Sequence, residues 1–474
     1  MADKKRRSPA TTPSPTKKRA ATRSAKASPP RPAPVRRTFT KSIPFVQPMR
    51  HETRGEIFVV GNGDCGQLGL GEDVLERDTP AMLKYFSDKN IVKVEAGGLH
   101  NMALSKDGKL YSWGCNDQLA LGRKGDETVP GPVEGLDDIQ VVDVACGDSI
   151  TVALTTGGRV YQWGTFRNSN GIFGFYPGIN VQGTPFLMKE VEKIISIACG
   201  NNHVVCTSSD GKIYTWGDGE QGQLGHKVLS ARNRYASLVP RGITFYPKAL
   251  GVQRTTNAED GTTTLRRPKR TFDRVFCGGY CTFLVHKSQA VFAYGLNQFG
   301  QLGLGFNSEE FVHEPQRVEG FNEESGLRCI AGGEHHTLLV DGTGTAYAFG
   351  RGQDGQLGLP QELLDEHAPP PFDDGKPSPC LVNSLVPIPS LSGVKWVSAN
   401  GASCLAVTEK IKPNDDSNLF TWGYGDMGQL DNNASGDERL PYNVNLKGRT
   451  VINASMGGQH AVYLLAPKGT GSDT

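Results

Sequence analysis

Histidine recurs in this chain in one setting. Gly-x-x-His is found at Gly97–His100, Gly200–His203, Gly332–His335 and Gly457–His460, with Gly147–Ile150, Gly278–Cys281 and Gly401–Cys404 as variants. An imidazole can serve as general base, proton shuttle or metal ligand. Each role needs a second group at a matching spacing, and no nucleophile, carboxylate or further histidine supplies one. These histidines are therefore expected to hold the fold through a ring-nitrogen hydrogen bond. A second pattern, Gly-x-Gly-x-x-Gly, suggests phosphate binding. That chemistry requires a strand before the motif and a helix after it, so that phosphate meets a helix N-terminus. Here the motif recurs inside β units, and no Gly-Lys-Ser/Thr loop exists. The glycines read as turns, and neither cofactor nor metal is expected. The ten cysteines are scattered through apolar strands without a Cys-x-x-Cys pair, as for buried free thiols in a reducing compartment. With no acid–base, metal or nucleophile constellation, covalent catalysis is not expected.

The elements that carry these motifs form a repeat. Gly-x-Gly-x-x-Gly-Gln-Leu-Gly occurs at Gly61–Gly69, Gly217–Gly225, Gly295–Gly303 and Gly350–Gly358, and finally at Gly423–Asp431, with weaker copies at Gly114 and Gly164. The seven starts are spaced by 53, 50, 53, 78, 55 and 73 residues, so two intervals carry insertions, at 227–270 and 360–386. Before most of these turns stands aromatic-x-aromatic-Gly, as in Tyr111-Ser-Trp113-Gly114 and Phe420-Thr-Trp422-Gly423. Period-two aromatics pack one face of a pleated strand. Four short strands per unit, seven units and no long amphipathic helix predict an all-β fold, a seven-bladed β-propeller over residues 50–467. Glu56–Val60 and Ala461–Leu465 are expected to share one blade and close the ring. The second insertion, with Pro369–Pro371 and five acids, reads as a solvated loop.

Charge is segregated. The chain carries +2 overall, but residues 1–41 hold thirteen Lys/Arg against one acid. The first insertion adds ten Lys/Arg against two acids, which leaves the rest of the propeller at about −18. Residues 1–41 lack aromatics before Phe39 and any apolar periodicity, so a disordered basic tail is expected. Such a tail neutralises DNA phosphates without reading sequence. Its two basic clusters, Lys4, Lys5, Arg6, Arg7 and Lys17, Lys18, Arg19, are spaced as a bipartite nuclear import signal, which implies an importin as partner. No segment approaches a membrane span, and the N-terminus is charged where a signal peptide needs an apolar core.

The aromatic-x-aromatic-Gly-x-Gly-x-x-Gly-Gln-Leu-Gly unit, paired with Gly-Gly-x-His, resembles the repeat of the regulator of chromosome condensation family. The resemblance implies a nuclear, chromatin-bound guanine nucleotide exchange factor for the Ran GTPase, acting in nucleocytoplasmic transport and mitosis. The third unit supports this by breaking the repeat. Trp163-Gly164 is followed by Thr165-Phe-Arg-Asn-Ser-Asn-Gly-Ile-Phe-Gly174, whose two turn signals predict a projecting hairpin. It is similar to the family's β-wedge, which points to Phe166, Arg167 and Asn168. The family's other GTPase contacts carry over to Asp64, Asp148, Asn201, Thr282, His335 and His460, all expected on one face. Asn202 stands where the family has an acid. The first insertion resembles the loop that family members lay on the nucleosome acidic patch, which assigns Arg232 and Arg234 to histone contact. The competing expectation is a chromatin or ubiquitin-pathway scaffold that uses the propeller for adhesion alone.

Overall fold

Seven antiparallel four-stranded sheets are built in turn around the chain. The computed structural model describes residues 47–227, 234–243, 245, 253–256, 263–266, 271–305, 308–321, 323–369, 380–409, 411, 415–433 and 436–468. The expectations for the tail and its basic clusters, and for Arg232, lie outside these residues. Blades 1 to 6 span 91–132, 141–187, 194–242, 272–317, 327–387 and 394–443. Blade 7 joins Val451–Met456 and His460–Leu465 to Glu56–Asn62 and Glu76–Met82. The closing pair runs antiparallel from Glu56↔Leu465 to Gly61↔His460, so the two ends of the propeller are hydrogen-bonded into one sheet.

The sequence unit and the blade are out of phase. One unit's glycine turn and Gly-x-x-His signature belong to successive blades, so every unit stitches two sheets together. In all seven blades the second strand is buried along its whole length. Outer strands such as Glu76–Met82 are largely exposed. Trp113, Trp163, Trp216 and Trp422 are fully buried. At about 25 cal/mol per Å², an indole burying about 200 Å² contributes about 5 kcal/mol.

The repeat residues have specific tasks in this stitching. In five turns the Gln of Gly-Gln-Leu folds back to accept the backbone N–H two residues earlier, as Gln67 Oε1 does from Cys65 at 2.8 Å. The turn then rests on the next blade's tryptophan, whose indole N–H donates to a turn carbonyl: Trp113 to Gln67 and Trp422 to Gln356. A Cβ at Gly69, where φ is +69°, would stand 2.7 Å from Trp113 Cδ1. The glycine motif is thus a packed turn, as its β context predicts.

Both insertions contain more structure than expected. Arg241–Gly242 pairs with Thr215 and Tyr214 as the fourth strand of blade 3, and a hairpin, Gln253–Thr256 with Thr263–Arg266, follows. The second insertion is not simply a solvated loop. It contains the helix Gln361–His367 with Leu364 buried, and Leu381–Pro387 is the fourth strand of blade 5.

Candidate functional site: the loop face around the axis

Because successive strands are antiparallel, the turn after each first strand and the turn after each third strand leave the propeller at the same end. The pairing His100↔Gly114 fixes this in blade 1, and His203↔Gly217 in blade 3. Backbone hydrogen bonds join the axial turns of six of the seven neighbouring blade pairs among the described residues. Gly98 N–H donates to Gly147 O, Asp148 to Asn201, Asn201 to Gly279, Gly279 to Gly333, Glu334 to Gly401, and Gly458 to Gly98. These turns form a fixed collar whose side chains sit on a defined backbone.

The imidazoles stand behind the collar. Nε2 of His100 meets Thr151 Oγ1 at 2.9 Å, His203 meets Thr282 at 2.8 Å, His336 meets Cys404 Sγ at 2.9 Å and His460 meets Asn101 Oδ1 at 2.7 Å. Each bond crosses from one blade to the next. Burial lowers these imidazoles to about 4 for His100 and about 3 for the others, so all four are neutral. The signature glycine follows from the same geometry. A Cβ at Gly97, Gly200, Gly333 or Gly457 would lie 2.2–2.5 Å from the imidazole Cε1.

This register corrects several sequence-based expectations. The histidine slot of blade 5 is filled by His336, which pairs with Gly350, and its glycine is Gly333; the Gly332–His335 assignment was one residue early. In blade 6 the slot is Ser403, paired with Gly423, rather than Cys404. His460 and Thr282 are fully buried and bonded to neighbouring blades, so neither side chain reaches a protein partner. Phe166 is also fully buried, packed with Phe173, Phe175 and Trp216 beneath the hairpin. It anchors the projection and does not form its tip.

The hairpin itself is present. Phe166–Asn168 pairs with Gly171–Gly174, and Arg167 and Ile172 are exposed on it. At its root, Asn202 Oδ1 accepts the Arg167 backbone N–H at 2.7 Å. Near its tip, Glu220 accepts from Asn168 Nδ2 at 3.1 Å and from the Ser169 N–H at 3.4 Å. Its second strand leans on the first insertion, where Phe173 stacks on Tyr235 at 6.0 Å and Leu238 packs against Gly174. Tyr235 and Leu238 lie on a 3-10 turn that begins at Arg234.

Beside the root lies an acidic cluster. Burial, reinforced by Glu334, pushes the Asp148 carboxyl up to about 6, against the Asn202 amide and Arg167, which lower it. Tyr280 lies between Asn201, Glu334 and Asp148, and burial together with those acids raises its phenol. His335 is half-buried between Tyr280 and Phe299, with ring centroids at 6.4 and 4.8 Å. Burial lowers its imidazole despite Glu334. Asp64 is exposed in a glycine turn of the same end. The axial turns and glycine turns carry Asp64, Asp117, Asp148, Glu220, Glu334, Asp354 and Asp426, with Asp218 and Asp431 buried, against Arg167 and Arg351. Sequence reading missed Glu334, Tyr280 and Glu220. The signal was available, since Glu334 occupies the same signature position as Asp148 and Asn201 once the histidine register is set.

Among the described residues, no group of three or more His, Cys, Asp or Glu could hold a metal, and no helix is long and apolar enough to cross a membrane. The face is suited to gripping a basic macromolecular surface and inserting the hairpin into it.

Known proteins share this architecture. The model of the RCC1-like domain matches residues 56–463. The regulator of chromosome condensation of Xenopus laevis is 35% identical, covering 90% of this chain and 93% of its own. The guanine nucleotide exchange factor SRM1 of Saccharomyces cerevisiae is 27% identical, covering 86% of each chain. The crystal structure of Prp20p from Saccharomyces cerevisiae, described with its binding to Gsp1p and histones, superposes with a TM-score of 0.76 at 28% identity, covering 89% of this chain and 94% of its own. Prp20 has also been solved bound to Kap60. The ultraviolet-B receptor UVR8 of Arabidopsis thaliana is 31% identical, covering 84% of this chain and 79% of its own, so the fold serves more than one task. Matched from its first strand to its last, this chain belongs to the RCC1-like domain family, among the regulators of chromosome condensation.

Proposed function

We propose that this protein is a guanine nucleotide exchange factor for the Ran GTPase, held on chromatin in the nucleus. The observation that carries the reading is the hairpin Phe166–Gly174, which replaces a glycine turn and projects Arg167 beside Asp148 and Asn202. A GTPase holding nucleotide at picomolar affinity binds it by roughly −16 kcal/mol, so unassisted release is slow. An exchange factor that binds the nucleotide-free form more tightly must weaken nucleotide binding by the same factor. No bond to the protein is made or broken. The acidic face engages GTPase lysines, and the hairpin, seated on its Phe166 anchor, supplies the interaction that excludes nucleotide. The nucleotide that enters afterwards follows cellular concentration, which favours GTP.

The basic tail and the first insertion give this activity a place. Lys4–Arg7 with Lys17–Arg19 serve importin-dependent entry and DNA phosphate contact, and Arg232 and Arg234 engage the nucleosome acidic patch. Binding of Gsp1p, histones and Kap60 by the related Prp20 supports a GTPase, histones and an importin as partners by analogy. The decisive experiment is stopped-flow release of fluorescent GDP from Ran with and without the full-length protein. Acceleration by orders of magnitude is expected. Unchanged release alongside intact chromatin binding would favour the scaffold.

A further inference from the structure

We propose that Asn202 is a positioning residue whose amide ties the hairpin root to Asp148, so that the hairpin's orientation and the Asp148 carboxylate act as one unit. The inference rests on the exchange reading above for its consequence, though not for its geometry. Asn202 Oδ1 accepts the Arg167 backbone N–H at 2.7 Å, and Nδ2 donates to Asp148 Oδ2 at 3.3 Å. The partners dictate the amide's orientation. A backbone N–H can meet only an acceptor and a carboxylate only a donor, so a flipped amide would set like against like at both ends.

Both ends of the clamp stand on fixed backbone. The Asp148 N–H donates to Asn201 O at 2.9 Å, and Asn202 O accepts the Asp218 N–H at 2.8 Å. The second tie, from Glu220 to Asn168 and Ser169, holds the exposed tip; Thr165 bonds to Ser149 O and Asn180 O where the hairpin begins, and Asn202 takes the Arg167 N–H just above it. An amide is required here because it carries acceptor and donor on neighbouring atoms. An aspartate at 202 could accept from Arg167, but it would face Asp148 as a second carboxylate, and the two would share a proton. This chain therefore uses Asn202 for a mechanical link. The charge on this part of the face comes from Asp148 and Glu334, with Arg167 opposing them and the Tyr280 phenol beside them.

The test compares Asn202→Ala, Asn202→Asp and the swap Asp148→Asn with Asn202→Asp in the full-length protein. Two readouts are needed: amide hydrogen exchange at Arg167, and the pH profile of GDP release from Ran. Asn202→Ala is expected to speed Arg167 amide exchange about tenfold, the scale of one hydrogen bond to a partly buried group, and to lower kcat about as much with KM within about twofold. Asn202→Asp is expected to keep Arg167 protected at pH 6, where the carboxylate pair shares a proton, and to lose both protection and activity as pH rises. The parent gains activity over the same range. The swap rebuilds one donor, one acceptor and one carboxylate, so Arg167 protection is expected to return at every pH. Unchanged Arg167 protection in Asn202→Ala would overturn the clamp, whatever the exchange rate. A parent that fails to release GDP from Ran would overturn the exchange reading and leave the protection measurement to decide the clamp by itself.

Discussion

The axial collar has two unlike arcs on one backbone. In the arc of blades 2 to 5 the residue after the signature glycine is Asp148, Asn201, Gly279 and Glu334, and Gly279 is followed by Tyr280. In the arc of blades 6, 7 and 1 the same position is Gly401, Gly458 and Gly98. The hydrogen-bonded collar includes turns of both arcs. At this collar position the second arc carries no side chain, and the hairpin rises beside the first. Seven copies of one backbone carry the scaffold, and three of them place a polar or acidic side chain at this position.

The largest expected effect comes from removing the hairpin's exposed charge. Arg167→Ala is expected to slow GDP release from Ran by about one to two orders of magnitude, with a smaller change in complex affinity. An unchanged release rate would show that the hairpin is an ornament and that the rich arc acts by adhesion. Next is Asp148→Ala, expected to weaken association about tenfold, and added salt is expected to mimic it. The pH dependence has a definite sign. The Asp148 carboxyl titrates at about 6, so its charge, and association with a basic partner, falls as pH drops below that value. Binding that is flat from pH 5 to 8 would remove Asp148 from the interface.

The bare arc holds one anomalous acid, and it sharpens the contrast. Asp431 occupies, at φ +52°, the slot that is Gly69, Gly122, Gly225, Gly303 and Gly358 elsewhere. Its carboxyl is buried, Oδ2 has no hydrogen-bond partner, and burial pushes it up to about 8. The side chain fits because the next blade has Val60 where others have Trp113, Trp163 or Trp422. Between about pH 4, where an unfolded aspartate titrates, and pH 8, the unfolded chain has released this proton and the native one has not. Stability therefore falls as pH rises through that window and levels off above it. Asp431→Gly is expected to stabilise the protein by about 2 kcal/mol at pH 8, and by less at pH 5, in denaturant titrations. An equal gain at both pH values would assign the whole effect to backbone strain.

The smallest effect is expected from adding a side chain to the bare arc. Gly401 has φ +56° and open space where a Cβ would stand, and asparagine tolerates that backbone. Gly401→Asn is expected to leave GDP release within about twofold of the parent. A tenfold loss would mean that the partner covers the bare arc as well, and that the two arcs share the work.

The repeat itself determined the seven blades, the shared closing blade and the reading of the glycine motif as a turn. Periodicity is a local property, and each unit's apolar alternation leaves a stacked ring as the way to bury it. Spacing also placed the departure at residues 165–174, because a break in a strict repeat is visible without coordinates. What sequence could not decide was register and depth. His335 and His336 are adjacent and chemically identical, and only strand pairing with Gly350 shows which one enters the core. Phe166, Thr282 and His460 all sit in or beside conspicuous motifs, yet a one-residue step along a strand turns a side chain from surface to interior. The link from Arg167 through Asn202 to Asp148 joins residues of different blades. Such a link depends on how neighbouring sheets stack, and that is set by packing across the ring.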